Sequence, residues 1–132
     1  MSNHVHLLCK SNRDDLSGTI RDIKSFTSKQ MLRYIQEENE SRRTWMLNLF
    51  EFEAKKHKRN TKYQVWTHKN HAEYIYSNKF IRQKLDYIHN NPVKAGIVEH
   101  PEEYLYSSAR NYAGLDNLLT IEMLSLPWIT VK

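Results

Sequence analysis

Apolar residues recur every three or four positions along two stretches in the first half of the chain. Residues from about Asp15 to Asn39 predict an amphipathic helix, with Asp14 or Asp15 as its N-cap. A second helix is predicted from near Ser41, and it is expected to bury three large side chains, Trp45, Leu49 and Phe52. The charged run that follows, residues 55–62, has no apolar residue and is predicted to form an exposed loop.

A third helix is predicted in the second half of the chain, with Ser77 as its N-cap. Three apolar residues at helical spacing should face inward: Ile81, Leu85 and Ile88. The helix is expected to stop near Asn91, because Pro92 disfavours the helical conformation in the residue before it. Pro92 can then open a new short turn, which Gly96 can close.

Two short segments have the pattern of β-strands. In residues 3–9, Val5 and Leu7 should lie on one face, with the two histidines and Leu8 on the other. The second predicted strand is Tyr63–Trp66. Because no linker or internal repeat divides its 132 residues, the chain is predicted to form a single domain.

The composition excludes several classes of protein. The mean hydropathy is −0.77, and no apolar run approaches the roughly 20 residues that a membrane span needs. The N-terminus lacks the basic and apolar segments of a secretory signal. The single cysteine, Cys9, cannot form an intramolecular disulfide, which fits a reducing compartment. A cytoplasmic protein without a membrane partner is therefore expected.

The charge balance favours a polyanionic partner. Lysine and arginine number 20 against 15 acidic residues, which gives a net charge of +5. Such an excess attracts nucleic acids by neutralising phosphates and releasing counterions. Many basic proteins bind no nucleic acid, so the charge needs support from a site.

His4 and His6 are the first candidates for such a site. In a strand, residues two apart project from the same face, so both imidazoles can bind one divalent cation. The alternative is two surface histidines without a ligand. The spacing alone leaves both readings open.

Four residues of the third helix recur at helical spacing opposite its apolar stripe: Phe80, Lys84, Tyr87 and Asn91. A free phenol titrates near pH 10 and is a weak nucleophile unless its anion is stabilised. Lys84 or a nearby metal can stabilise that anion, and Asn91 can offer a carbonyl oxygen as a third metal ligand. The alternative is that Tyr87 caps the core with its ring edge and Asn91 merely ends the helix.

Cationic and aromatic residues alternate in the middle of the chain. Five lysines and arginines between Lys55 and Lys62 precede four aromatic residues, Tyr63, Trp66, Tyr74 and Tyr76. This mixture suits single-stranded nucleic acid, where cations follow phosphates and rings stack on unpaired bases. A solvated loop beside a core strand is an equal alternative. On the first helix, Arg21 and Lys24 form a polar stripe with Ser28 that either contacts DNA or is only solvated.

Four segments occur in the order found in one family. Residues 1–8 read M-S-N-H-V-H-L-L, residues 24–29 read K-S-F-T-S-K, residues 84–98 read K-L-D-Y-I-H-N-N-P-V-K-A-G-I-V, and residues 104–109 read Y-L-Y-S-S-A. The similarity runs through nearly the whole chain in the order of that family. This ordered set resembles the single-tyrosine (HUH-type) transposases of the REP-associated branch, whose histidine strand commonly reads M-P-N-H-V-H-L-L.

The resemblance implies roles for individual residues. His4 and His6 match the metal-binding pair, Asn91 a third ligand of Mg²⁺ or Mn²⁺, and Tyr87 the nucleophile. The residues expected to contact DNA are Arg21, Lys24, Lys62, Trp66, His68 and Lys84. Trp66 and His68 also match family positions, and the alternatives for His68 are assistance with proton transfer and a structural hydrogen bond.

The resemblance also implies a fold and a reaction. The fold is α+β, a ferredoxin-like antiparallel sheet with the histidines on a central strand and the tyrosine helix laid across it. In the reaction, Tyr87 attacks a phosphodiester of single-stranded, hairpin-forming DNA and leaves a 5′-phosphotyrosine and a free 3′-OH. A second 3′-OH can then reverse the step and join strands without ATP.

The chain departs from the family at its start. Relatives usually carry a strand, a helix and a strand before the histidine strand, so residues 1–132 are expected to be the C-terminal portion of the family domain, with an open sheet edge. Two other functions stay open: a truncated or inactive DNA-binding relic of a transposase, and a helical protein-interaction domain. No obligate protein partner is evident.

Overall fold

Helices are the regular elements of the computed structural model, which describes residues 3–12, 14–57 and 62–124. They are α1 (Leu16–Glu37), α2 (Arg43–Lys55), α3 (Asn78–Lys94), a 3₁₀ helix (Pro101–Glu103) and the short α4 (Ala109–Tyr112). The chain divides into two compact units. The α1–α2 unit is Lys10–Ala72, and the α3 unit is Met1–Cys9 with Glu73–Lys132. Within the described ranges, no helix is both long enough and apolar enough to cross a membrane.

The predicted α+β fold with a ferredoxin-like sheet is wrong, because the described residues contain no β-strand. Residues 3–9 and Tyr63–Trp66 each form an irregular segment. A strand exists only where its backbone bonds to a neighbouring strand, so an extended segment without one forms no sheet. The backbone N–H of Gln64 instead donates to the carbonyl of Phe50 in α2, at 3.0 Å.

Helix α1 begins where the sequence predicts. The carboxylate of Asp15 accepts a hydrogen bond of 2.7 Å from the backbone N–H of Gly18, which confirms Asp15 as the N-cap. Helix α2 packs on α1, and Ile35 and Ala54 are the buried apolar side chains of the two helices. The guanidinium of Arg43 donates to the carbonyl of Ile35 at 2.8 Å and satisfies an acceptor near the end of α1.

The predicted burial of Trp45, Leu49 and Phe52 is wrong. The exposed fractions of Trp45 and Phe52 are 60% and 61%, and Leu49 is also exposed. The described part of the α1–α2 unit has two helices and irregular segments, too few elements to cover both faces of α2. Apolar spacing therefore predicted the helix correctly but not what would cover it.

Helix α3 also begins as predicted. The hydroxyl of Ser77 accepts a hydrogen bond of 3.2 Å from the backbone N–H of Phe80, which confirms Ser77 as the N-cap. Leu85 is buried, and the other two apolar residues of the stripe, Ile81 and Ile88, are half-buried. The inward face was therefore identified correctly.

The end of α3 differs from the prediction. The helix continues past Asn91 to Lys94 with Pro92 inside it, and the pyrrolidine ring of Pro92 is fully buried. Burial of that ring compensates for the backbone hydrogen bond that proline cannot donate. Gly96 has a φ of +67°, and the N–H of Ile97 donates to the carbonyl of Pro92 at 3.0 Å. These features form a Schellman C-cap, so Gly96 ends α3 itself and not a separate turn opened by Pro92, as the sequence had predicted.

Candidate functional site

Four predicted site residues meet within the α3 unit. The ring of His6 lies 5.2 Å from the ring of Tyr87, centroid to centroid, at 79°. The side-chain nitrogen of Asn91 donates to Nε2 of His6 at 3.0 Å, across 85 positions of sequence. The ring of His4 lies 4.9 Å from that of His6. The two histidines, the tyrosine and the asparagine thus form one cluster.

Two asparagines fix the tautomers of the histidine pair. The side-chain carbonyl oxygen of Asn3 accepts a hydrogen bond of 2.7 Å from Nδ1 of His4, so Nε2 carries the lone pair whenever this ring is neutral. In His6 the acceptor is Nε2, because Nδ2 of Asn91 can only donate. The role of Asn3 was missed in the sequence, although its position beside the histidine pair made it a candidate for orienting them.

Burial in the α3 unit lowers the pKa of His6, and the neighbouring charges of His4 and Lys84 lower it further. All three effects disfavour the imidazolium ion. His6 is therefore neutral near pH 7, which is the form of imidazole that binds a metal ion or accepts a proton.

Tyr87 is open to solvent along one side, with 48% of its surface exposed. The ammonium of Lys84 lies 2.6 Å from the carboxylate of Glu73 and 5.0 Å from the ring centroid of Phe80. The charge of Lys84 is therefore shared with Glu73. No helical spacing connects Glu73 to α3, so the sequence carried no signal for this ion pair.

A shallow depression lies beside Tyr87 on the surface of α3. Its lining residues recur at helical spacing: Gln83, Asp86, Tyr87, Asn90 and Lys94. The side-chain nitrogen of Asn90 donates to the backbone carbonyl of Asp86 at 2.8 Å. The side chain of Tyr87 thus borders an open surface with polar groups of both charges.

The donor set at the cluster fits a divalent cation. No group of three or more histidine, cysteine, aspartate or glutamate side chains occurs in the described ranges, so a site here needs the amide of Asn91 beside His4 and His6. Rotating that amide by half a turn exchanges Nδ2 for Oδ1, a suitable oxygen ligand. Imidazole donors suit Mn²⁺ better than Mg²⁺, which prefers oxygen ligands.

Lys24 and Trp66, two predicted DNA contacts, have structural bonds in the α1–α2 unit. The ammonium of Lys24 donates to the carbonyl of Thr67 at 2.8 Å and to the side chain of Asn70. The indole N–H of Trp66 donates to the hydroxyl of Thr27 at 2.8 Å. These bonds hold the segment after residue 62 on α1, and the DNA contacts of both residues stay predictions.

Three further predicted DNA contacts lie in the same unit without joining into one cluster. Arg21 pairs with the exposed Asp22 at 2.9 Å. The ammonium of Lys62 lies 5.2 Å from the ring of Tyr63. His68 makes an edge-on ring contact with His57, at 4.9 Å between centroids. For these residues DNA binding stays a prediction as well.

Comparisons with known proteins assign no family. Neither a scan against protein-family models, nor a search of curated proteins, nor a search of solved structures found a match. Function is therefore argued from the residues of the α3 unit and their geometry.

Proposed function

We propose that this chain is a metal-dependent tyrosine transposase that cleaves and rejoins single-stranded, hairpin-forming DNA through Tyr87. One observation supports this function above the others. A phenol, two imidazoles with defined tautomers and an amide, from segments far apart in sequence, meet in the α3 unit. The chemistry of phosphodiester transfer needs these groups together: a nucleophile, and ligands for a cation that faces the phosphate.

The cleavage step transfers a phosphoryl group of the DNA from a 3′ oxygen to Tyr87. The Oη atom of Tyr87 attacks the scissile phosphorus, the bond from phosphorus to the 3′ oxygen breaks, and that oxygen takes a proton to become a 3′-OH. The phenolic proton passes to solvent, which reaches the half-exposed side chain. The 5′-phosphotyrosine keeps the bond energy, so attack by another 3′-OH reseals DNA and frees Tyr87.

His4, His6 and Asn91 would hold the divalent cation. When bound, the cation polarises the phosphate and offsets the charge that develops on its oxygens. Asn3 keeps the lone pair of His4 on Nε2, and the lowered pKa of His6 keeps that ring neutral for ligation. The half-exposed position of Tyr87 leaves room for a DNA strand.

A covalent adduct tests this proposal. The protein is incubated with Mn²⁺ and a pool of labelled oligonucleotides that carry one hairpin and randomised single-stranded flanks. On a denaturing gel, the wild type should give a DNA–protein adduct and Tyr87→Phe should give none, while both bind the pool with similar affinity. Tyr106→Phe is a matched control, because Tyr106 is an exposed tyrosine of the same unit and lies outside the cluster. An adduct that persists in Tyr87→Phe would refute the role of Tyr87.

A DNA-binding relic without turnover is the second candidate. The ion pair between Lys84 and Glu73 favours it, because the ammonium of Lys84, one helical turn before Tyr87, is partly neutralised and stabilises a phenolate less. This candidate predicts hairpin binding that weakens steeply with salt, and no adduct from the wild type in Mn²⁺. The same gel therefore separates the two functions.

A further inference from the structure

Two aromatic rings stack at the start of α3. The rings of Tyr76 and Phe80 lie 5.0 Å apart and are nearly parallel, at 14°. The ring of Phe80 is half-buried, whereas 81% of the surface of Tyr76 is exposed. Tyr76 is therefore a flat ring that is supported on one face and open to solvent on the other.

One cation lies beside the stack. The ammonium of Lys84 lies over the ring of Phe80, 5.0 Å from its centroid, and also pairs with the carboxylate of Glu73 at 2.6 Å. A flat apolar ring beside positive charge matches a ligand that joins a flat base to a phosphate.

The stack also lies close to the nucleophile. Phe80 precedes Tyr87 by two turns of α3, a separation of roughly 10 Å along the helix axis. A strand whose phosphate reaches Tyr87 would therefore have a base within a few nucleotides of Tyr76.

We infer that Tyr76, supported by Phe80, is a stacking subsite for one unpaired base of single-stranded DNA beside the phosphate that Tyr87 attacks. This inference rests on the proposed function and specifies how the flank of the hairpin is held. Stacking of this kind tolerates any base, because every base has a π face. The subsite therefore adds affinity for unpaired strands without reading their sequence.

A structural role for Tyr76 predicts a different outcome. Tyr76 precedes the N-cap Ser77, so its contact with Phe80 can also fix the entry of the chain into α3. That contact with Phe80 needs only an apolar side chain at position 76, and leucine provides one. A leucine at position 76 therefore keeps the structural role and removes the aromatic face, which makes Tyr76→Leu the decisive variant.

The test measures binding of a labelled hairpin oligonucleotide with single-stranded flanks at about 0.15 M salt, by fluorescence anisotropy. Tyr76→Leu should raise Kd by roughly 5- to 150-fold, the usual loss when one base–ring stack is removed. Tyr76→Trp should bind as tightly as the wild type. Tyr74→Leu is the matched control, because Tyr74 is 95% exposed and no aromatic ring of the described residues stacks on it. It should change Kd by less than about twofold.

Abasic sites placed one at a time along the flanks locate the subsite. At one position, removing the base should weaken the wild type and leave Tyr76→Leu unchanged. Equal affinities for Tyr76→Leu and Tyr74→Leu, with unchanged melting temperatures, would overturn the inference while leaving cleavage by Tyr87 open. A wild type that binds single strands through Tyr76 but forms no adduct would instead refute the cleavage and keep the subsite. If the wild type does not bind single-stranded DNA, both proposals fail.

Discussion

Replacing Asn91 with leucine should change the tautomer of a histidine 85 positions away. Nδ2 of Asn91 lies 3.0 Å from Nε2 of His6 and can only donate, so the bond requires an unprotonated Nε2 and places the ring proton on Nδ1. Leucine has nearly the same shape and no N–H group. It also has a higher helix propensity than asparagine, so α3 should not be weakened.

The size of the effect follows from the bond. A hydrogen bond of this kind contributes about 0.5 to 1.5 kcal/mol net, which corresponds to a factor of roughly 2 to 13 in an equilibrium constant. Asn91→Leu should therefore lower the ratio of the Nδ1–H to the Nε2–H form of His6 by that factor. The ratio should fall without loss of the helix.

Long-range ¹H–¹⁵N spectra of the imidazole rings report the tautomers directly, at about pH 8 where histidine is neutral. Asn90→Leu is the matched control, because Asn90 lies on the same helix and bonds to the carbonyl of Asp86. It should leave His6 unchanged. An identical ratio in the wild type and Asn91→Leu would refute the contact on which the cluster depends.

Three further outcomes concern stability. Thr27→Val removes the hydroxyl that accepts the hydrogen bond of the Trp66 indole. A double-mutant cycle with Trp66→Phe, measured by urea unfolding, should give a coupling energy of about 0.5 to 1.5 kcal/mol. Additive effects of the two substitutions would show that this bond contributes nothing to stability. Burial lowers the pKa of His89 below 6.5, so the folded protein binds fewer protons than the unfolded chain between the lowered pKa and 6.5. The free energy of unfolding should therefore be highest above pH 6.5 and decrease as the pH falls through that window. The variant His89→Gln can still bond to Ser108, and it should reduce this pH dependence in urea titrations. Gly96→Ala forces a side chain into the left-handed region at φ +67° and should cost about 1 to 2 kcal/mol by thermal unfolding, whereas no loss would show that the turn relaxes.

The helices were predictable because their signals are local. Asp15 and Ser77 each accept a hydrogen bond from a backbone N–H three residues away, so the starts of α1 and α3 depend on short stretches of sequence. Gly96 is similar, since a positive φ favours glycine whatever surrounds it. Residue type and spacing made His4, His6, Tyr87 and Asn91 candidates for the site, although spacing alone left other readings open.

Only the tertiary structure decided which of these features have partners. Apolar and polar residues do alternate in residues 3–9, but a strand forms only beside a second strand. The helical spacing in α2 likewise does not determine which element covers Trp45. The bonds of Lys24 to the segment after α2 and the contact of Asn91 with His6 join distant parts of the chain. Such contacts depend on how the whole chain packs, because backbone and side-chain groups bond to whatever neighbour folding brings within reach.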